Sequence, residues 1–191
     1  MARFLVVFDI SGTLIKRYHK AKSEQRILTS MGVEPDFKFK EYFIYNRPHL
    51  DLLVEFLKSH DAEYVLWTTG MRQNAMHLVK YLEDLGFDGL LGWYSQSDCK
   101  PGKVRLDSKC SRWVKDLEVV ASNHNIDVEK CILVDDSVDK SIYTQNFICC
   151  PEYIPGAKDY GIEYICKHLD DFFGCKENCI AKRMILAEEK R

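Results

Sequence analysis

The sequence predicts an α/β fold in which a mostly parallel central sheet carries helices on both faces. Short apolar runs typical of strands alternate with stretches whose apolar residues recur at helical spacing. The run FLVVF at residues 4–8 is continuously apolar, as expected of a strand in the centre of a sheet. At 191 residues the chain is long enough for one such core and shows no linker that would divide it.

Each further element follows from a local pattern. Apolar runs predict strands at residues 63–67, 90–94, 130–134 and 147–149. Pro48 suits the first turn of a helix, which residues 50–57 continue with apolar side chains on one face. Further helices are predicted near residues 23–31, at 72–85, and at 113–121 on the spacing of Trp113, Leu117 and Val120. Residues 16–45 form an insert of polar, basic and aromatic residues with no clear periodicity.

We place the end of the predicted domain at residue 173. We expect one domain at residues 1–173 and a helical extension at residues 174–191 that packs on or trails the same domain, in which the charged, amphipathic residues 181–191 form a solvated helix.

Composition excludes several classes of function. A net charge of −2 gives no overall attraction to nucleic acid, so we expect no direct nucleic-acid binding. The longest apolar runs are far shorter than the ~20 residues of a membrane span. The first apolar run continues into Asp9 without a signal-peptide cleavage site, so we expect an intracellular protein, nuclear or cytoplasmic and not secreted. The eight cysteines are then expected to be reduced thiols.

Three polar clusters directly follow three of the predicted strands. They are DISGT at residues 9–13, TTG at 68–70 and DDS at 135–137. Parallel sheets bind ligands beyond the carboxyl ends of their strands, so we expect the three clusters to converge there. Each cluster alone is also explained by helix capping, because Asp, Ser and Thr are common N-cap residues.

The ordered set of motifs resembles the haloacid dehalogenase (HAD) superfamily, whose first motif is Asp-x-Asp-x-Thr. The resemblance is closest to the FCP/SCP group, the RNA polymerase II C-terminal-domain phosphatases that include NLI-interacting-factor-like domains. It also includes RPHLDLLVEFL (47–57), YVLWTTG (64–70), VKDL (114–117) and CILVDDS (131–137), and it spans roughly residues 3–173. It implies a HAD-like, Rossmannoid sheet with a small insert after the first strand instead of a large cap domain.

The resemblance also implies the role of each site residue. Asp9 is the nucleophile that forms an aspartyl-phosphate. Mg²⁺ is the implied cofactor, held by Asp9, the backbone carbonyl of Ser11 and Asp136, with Asp135 close by or reaching it through water.

Phosphate binding falls to the other two motifs. Thr68 is expected to offer its hydroxyl and backbone N–H to the phosphoryl oxygens, with Thr69 beside it. Lys115 adds a positive charge that also stabilises the crowded carboxylates. Taken singly, Thr68 and Ser137 are better explained as helix caps, and Lys115 as a member of a surface ion pair; the ordered set favours the functional roles.

Ser11 departs from the motif. Hydrolytic members carry at this position an Asp that protonates the leaving oxygen and later activates water, a contribution of roughly 10²–10⁴-fold in rate. A serine hydroxyl has no useful pKa for either step, but its backbone carbonyl remains for the metal. Ser11 therefore predicts slow turnover or none, without loss of the fold.

Two functions from different classes remain open at this stage. The first is a Mg²⁺-dependent phosphoric monoester hydrolase that acts on phosphoserine or phosphothreonine in a protein or peptide. The second is a catalytically impaired, phosphatase-like binding module; a small-molecule phosphatase is a weaker third. A proline-rich phosphopeptide would suit the aromatic residues of the insert, unless these only cover the sheet edge. They are Tyr18, Tyr42, Phe43 and Tyr45, with basic Lys16, Arg17 and Lys20 beside them.

Overall fold

The computed structural model describes residues 3–102, 113–174 and 184–185. The strands in these ranges are β1 (Leu5–Phe8), β2 (Ile15–His19), β3 (Phe37–Phe39), β4 (Tyr42–Asn46), β5 (Glu63–Trp67), β6 (Gly92–Tyr94), β7 (Lys100–Pro101), β8 (Trp113–Val114), β9 (Cys131–Asp135), β10 (Phe147–Cys149) and β11 (Met184–Ile185). The helices are α1 (Ser23–Ser30), α2 (Leu50–Ser59), α3 (Arg72–Asp84), α4 (Leu117–His124) and α5 (Gly161–Phe173).

The central sheet has six parallel strands in the order β11-β10-β9-β1-β5-β6. Strand β1 lies between β5 and β9, and Phe8 is in register with Leu66 on one side and Val134 on the other. The three strands therefore end at nearly the same level. The polar residues that follow them meet at one edge of the sheet, as the sequence predicts.

Helices cover both faces of the sheet, which confirms the predicted α/β architecture. Successive side chains of a strand point to opposite faces. Val6 and Phe8 pack in one buried cluster with apolar residues of α2, α3 and α5. Leu5 and Val7 pack in a second cluster on the other face with Leu117 of α4.

The insert is a small antiparallel sheet, which the sequence did not reveal. Its strands have the order β2-β4-β3, and α1 lies between β2 and β3 in the chain. Strand β2 pairs with β4 from Ile15↔Asn46 to His19↔Tyr42. These strands mix polar, basic and aromatic residues because most of their side chains are only partly buried, so no clean alternation marks them.

Two predicted helix starts and one predicted helix were wrong. Trp113 is not helical, because it pairs with Pro101 in the β7–β8 ladder, and α4 begins only at Leu117. Pro48 precedes α2, which begins at Leu50 after a left-handed His49 with φ of 67°. Met184 lies in β11, so the chain there is a strand paired with β10, not the helix expected at residues 181–191.

The rest of the expected C-terminal extension stays a prediction. Apart from Gly174 and β11, residues 174–191, which include Cys175 and Cys179, lie outside the described residues. Cys110 also lies outside them. Among the described cysteines, Cys99, Cys131, Cys150 and Cys166 are free thiols. No helix within the described ranges is both long enough and apolar enough to cross a bilayer.

Candidate active site

The loop after β1 holds the first motif in a tight turn. The Asp9 backbone N–H donates to Val134 O at 2.9 Å, so the loop leaves the sheet directly beside β9. Gly12 has a φ of +99°, and a Cβ there would lie 2.7 Å from Cγ of Asp136. Glycine is therefore required twice, for the left-handed conformation and for the close approach of the loop to Asp136. Ser11, partly buried, precedes this contact by one residue.

Three carboxylates converge at the end of the sheet. Asp9, Asp135 and Asp136 each offer an oxygen within 4.8 Å of the others, a spacing that a single metal ion can bridge. Asp9 and Asp135 are buried, whereas the side chain of Asp136 is 13% exposed. The structure thus brings together the residues expected to hold the metal.

Lys115 lies beneath this cluster and is fully buried. Its Nζ donates to Oδ1 of Asp9 and, at 2.6 Å, to Oδ2 of Asp135. Its backbone is held as well, since its N–H donates to Lys140 O at 2.8 Å and its carbonyl accepts from Gln145 at 2.9 Å. A buried ammonium bonded in this way is fixed in position. The surface ion pair that was the alternative for Lys115 is wrong.

Sequence reasoning missed a second lysine, Lys140. Its Nζ lies 3.0 Å from Oδ1 of Asp135, 3.2 Å from Oδ1 of Asp136 and 3.5 Å from Oδ2 of Asp9. The 3₁₀ turn Val138–Lys140, which directly follows the DDS motif, returns the side chain to the carboxylates. A lysine five residues after the strand end was the available signal, but its meaning depends on that turn.

The pKa values of the three carboxyl groups are shifted because the groups lie close together in a largely buried site. Burial raises the pKa of Asp9, and the charge of Asp135 raises it further against the opposing effect of Lys115. Burial also raises the pKa of Asp136, to about 6, although Lys140 opposes the change. Burial acts in the same direction on Asp135, but Lys115 and Lys140 together bring its pKa below the usual value. The three acids thus depend on nearby cations to remain ionised.

Thr68 and Thr69 follow β5 at the same edge of the sheet. The expectation that Thr68 offers its backbone N–H to phosphate is wrong, because this group donates to Tyr94 O at 3.1 Å and continues the sheet. The Thr68 hydroxyl accepts from the Gly70 N–H at 3.1 Å and keeps its own proton for donation. Thr69 is partly buried beside it.

Arg47 supports the first-motif loop from below. Its guanidinium forms two hydrogen bonds with Asp159, at 2.8 and 3.0 Å, and donates to Thr13 O at 2.8 Å and Pro151 O at 2.6 Å. A Cβ at Gly161 would overlap the guanidinium. The side chain of Arg47 is fully buried and that of Asp159 is 8% exposed, so a largely buried ion pair connects the loop to the start of α5.

The aromatic residues of the insert divide into two groups. Tyr45 is 1% exposed and packs with Leu28 and Tyr153, so the expectation that it contacts a proline-rich phosphopeptide is wrong. Tyr42 and Phe43 remain partly exposed. The Arg17 guanidinium lies 4.7 Å from the centre of the Tyr42 ring, and Lys38 Nζ lies 5.4 Å from that of Phe43.

The chain is similar to known proteins in two comparisons, one with solved structures and one with protein families. A third comparison, with curated proteins, found no match. Among solved structures, fission yeast RNA polymerase II CTD phosphatase Fcp1-R271A bound to beryllium fluoride is 17% identical, with a TM-score of 0.52 over 88% of this chain and 50% of that one. A second structure of Fcp1, an essential RNA polymerase II CTD phosphatase, is 18% identical, with a TM-score of 0.52 over 89% of this chain and 49% of that one.

These likenesses show the HAD fold, and the chain spans about half the length of each Fcp1 structure. The family is shown by sequence: residues 4–178, most of the chain, match NLI interacting factor-like phosphatases. With its motifs at the carboxyl ends of a parallel HAD sheet, the chain belongs to the NLI interacting factor-like phosphatase family.

Proposed function

We propose that the protein is a Mg²⁺-dependent phosphatase that acts on phosphoserine or phosphothreonine in proteins, through an aspartyl-phosphate on Asp9, and that Ser11 slows it. One observation carries the proposal. The cluster of Asp9, Asp135 and Asp136 with buried Lys115 lies at the sheet edge where this family is expected to handle phosphate.

The donor set fits Mg²⁺. The ion prefers oxygen ligands, above all carboxylates, and three are present. Oδ2 of Asp9 is buried and accepts no hydrogen bond from the described residues, so a ligand oxygen is available. Asp9, Asp136 and the backbone carbonyl of Ser11 would hold the ion, with Asp135 close by. When bound, Mg²⁺ supplies positive charge that offsets the repulsion between the Asp9 carboxylate and a phosphoryl dianion.

The residues of the chain account for the first chemical step. Lys115 orients Asp9 by donating to Oδ1, and its positive charge favours the ionised form of the carboxylate. In the step, a bond forms between a carboxylate oxygen of Asp9 and phosphorus, and the bond from phosphorus to the ester oxygen breaks. The Thr68 hydroxyl is placed to donate to a phosphoryl oxygen, with Thr69 and Lys115 as further phosphate-binding groups. The leaving oxygen departs with the electron pair and requires a proton when it belongs to serine or threonine.

Ser11 limits both halves of the reaction. Its hydroxyl cannot protonate the leaving oxygen, nor can it activate the water that must hydrolyse the aspartyl-phosphate. We therefore expect slow turnover on alkyl phosphates and an intermediate that persists.

A macromolecular substrate is favoured by the small size of the insert. The described insert consists of three short strands and one helix, and its partly exposed Tyr42 and Phe43 could stack against proline in a phosphopeptide. We do not expect direct binding of nucleic acid. Both Fcp1 structures are described as CTD phosphatases, and a related phosphoprotein substrate, with nuclear or cytoplasmic action, is the corresponding proposal here.

Ser11 is also the observation that favours the second candidate, a phosphatase-like binding module. One assay separates the two: hydrolysis of an aryl phosphate with Mg²⁺, with EDTA, and by an Asp9→Asn variant. A phosphatase should lose at least about 10²-fold in rate on Asp9→Asn, because the nucleophile is gone. The control Asp84→Asn changes an exposed acid of α3 and should retain full activity. No hydrolysis by a folded wild-type protein that binds a phosphopeptide would instead identify the binding module.

A further inference from the structure

Lys140 has no part in the chemistry proposed above, yet it contacts all three carboxylates of the site. Its distances to Asp135, Asp136 and Asp9 are 3.0, 3.2 and 3.5 Å. An ammonium group thus lies among the same carboxylates that are placed to hold a divalent cation.

The two lysines divide the carboxylate oxygens between them. Lys115 takes Oδ1 of Asp9 and Oδ2 of Asp135, while Lys140 faces Oδ2 of Asp9 and Oδ1 of Asp135. Lys115 is fully buried, whereas the side chain of Lys140 is 17% exposed and lies on the solvent side. Lys140 therefore faces the oxygens that Lys115 leaves available for a metal.

The net charge of the site disfavours the presence of both Mg²⁺ and the Lys140 ammonium group. Three carboxylates and two ammonium groups leave one net negative charge when no metal is bound. A divalent ion added with Lys140 in place would reverse the sign and set two cations a few ångströms apart. At that distance in a partly buried site their repulsion is strong.

We propose that Lys140 is a resident counter-cation of the carboxylate site, that Mg²⁺ must displace its ammonium group, and that Lys140 thereby sets the metal affinity. The inference rests on the metal site of the proposed function. Displacement requires only the side chain to move. The backbone stays in place, because the Lys140 N–H donates to Ser137 O and its carbonyl accepts from the Lys115 N–H.

Calorimetry on the folded protein tests the affinity. Lys140→Met removes the charge and keeps most of the length of the side chain, and its Kd for Mg²⁺ should fall at least about tenfold, because no ammonium remains to be displaced. Lys80→Met, which removes an exposed lysine of α3, should bind Mg²⁺ like the wild type. Lys140→Arg keeps the charge and should not bind Mg²⁺ more tightly.

A second measurement needs no variant. Acylation of lysine amines followed by mass spectrometry should label Lys140 slowly in EDTA and at least about threefold faster with saturating Mg²⁺, because the ammonium turns to solvent. Lys115 should stay protected under both conditions, and Lys80 should label equally fast in both.

The outcomes distinguish a failure of this inference from a failure of the proposed function. Equal Mg²⁺ affinity in the wild type and Lys140→Met, or labelling of Lys140 that does not respond to Mg²⁺, would overturn the inference alone. No Mg²⁺ binding by either protein would overturn it together with the metal site. Tighter binding by Lys140→Met in a protein without phosphatase activity would support the inference and refute the proposed function.

Discussion

Replacing Gly161 with alanine should displace the buried Arg47 side chain, which supports the first-motif loop, and should thereby destabilise the fold. The new Cβ would overlap Nη2, Cζ and Nε of Arg47, so the guanidinium has to leave its site. It would lose both hydrogen bonds to Asp159 and those to the carbonyls of Thr13 and Pro151. Asp159, only 8% exposed, would lose its partner.

The magnitude follows from two opposing effects. Breaking a buried ion pair costs about 3–5 kcal/mol, because an uncompensated charge is left behind. Alanine in place of glycine at the start of α5 returns up to about 1 kcal/mol of helix propensity. The free energy of unfolding should therefore fall by about 2–4 kcal/mol, a large share of a typical total of about 5–15 kcal/mol.

Urea unfolding followed by circular dichroism measures this change. Gly92→Ala is the matched control, since a Cβ there meets nothing within 4 Å. In an Arg47→Ala background all three overlapped atoms are removed, so Gly161→Ala should cost much less than in the wild type. A loss below about 1 kcal/mol for Gly161→Ala alone would show that Arg47 can leave at little cost, and would refute the reasoning.

Three other predictions concern the chemistry and the insert. Ser11→Asp should raise turnover of an aryl phosphate by about 10²-fold or more, measured as kcat with saturating Mg²⁺; unchanged activity in a folded variant would argue for a binding module. Rapid-quench kinetics of the wild type should show a burst of phenol from an activated aryl phosphate and none with phosphoserine, whose leaving oxygen needs the missing acid; a linear trace with the activated ester contradicts a persistent aspartyl-phosphate. Tyr45→Phe should lower stability by about 1–2 kcal/mol in thermal unfolding, because the buried Gln25 loses a partner at 2.8 Å; no change would mean that Gln25 finds water instead.

The centre of the site could be predicted from the sequence because local patterns determine it. Apart from Glu63 at the start of β5 and Asp135 at the end of β9, strands β1, β5 and β9 are apolar, since both faces of the sheet are covered. The side chains that follow parallel strands necessarily share one edge. Asp9, Thr68 and Asp135 could therefore be placed together without knowledge of any long-range contact.

The remainder depended on contacts that no local pattern reveals. Arg47 and Asp159 are 112 positions apart, and although Arg47 begins the motif RPHLDLLVEFL, no sequence pattern indicates Asp159 as its partner. The position of Lys140 depends on a single 3₁₀ turn. Trp113 matches a helical spacing with Leu117, but its pairing with Pro101 places it in a strand. In each case a tertiary partner overrides or completes the local signal.

The contacts that hold the first-motif loop beside the carboxylates involve groups other than the side chain of residue 11. Backbone contacts hold the first-motif loop: the Tyr153 N–H donates to Gly12 O at 2.8 Å, and Arg47 donates to Thr13 O. The close approach of Gly12 to Asp136 depends on the missing Cβ of glycine, one residue beyond Ser11. An acid at residue 11 can therefore be lost, or restored, while Asp9 and its neighbours stay where they are. For this reason Ser11→Asp changes one chemical function, the transfer of a proton, against an unchanged arrangement of nucleophile and cations.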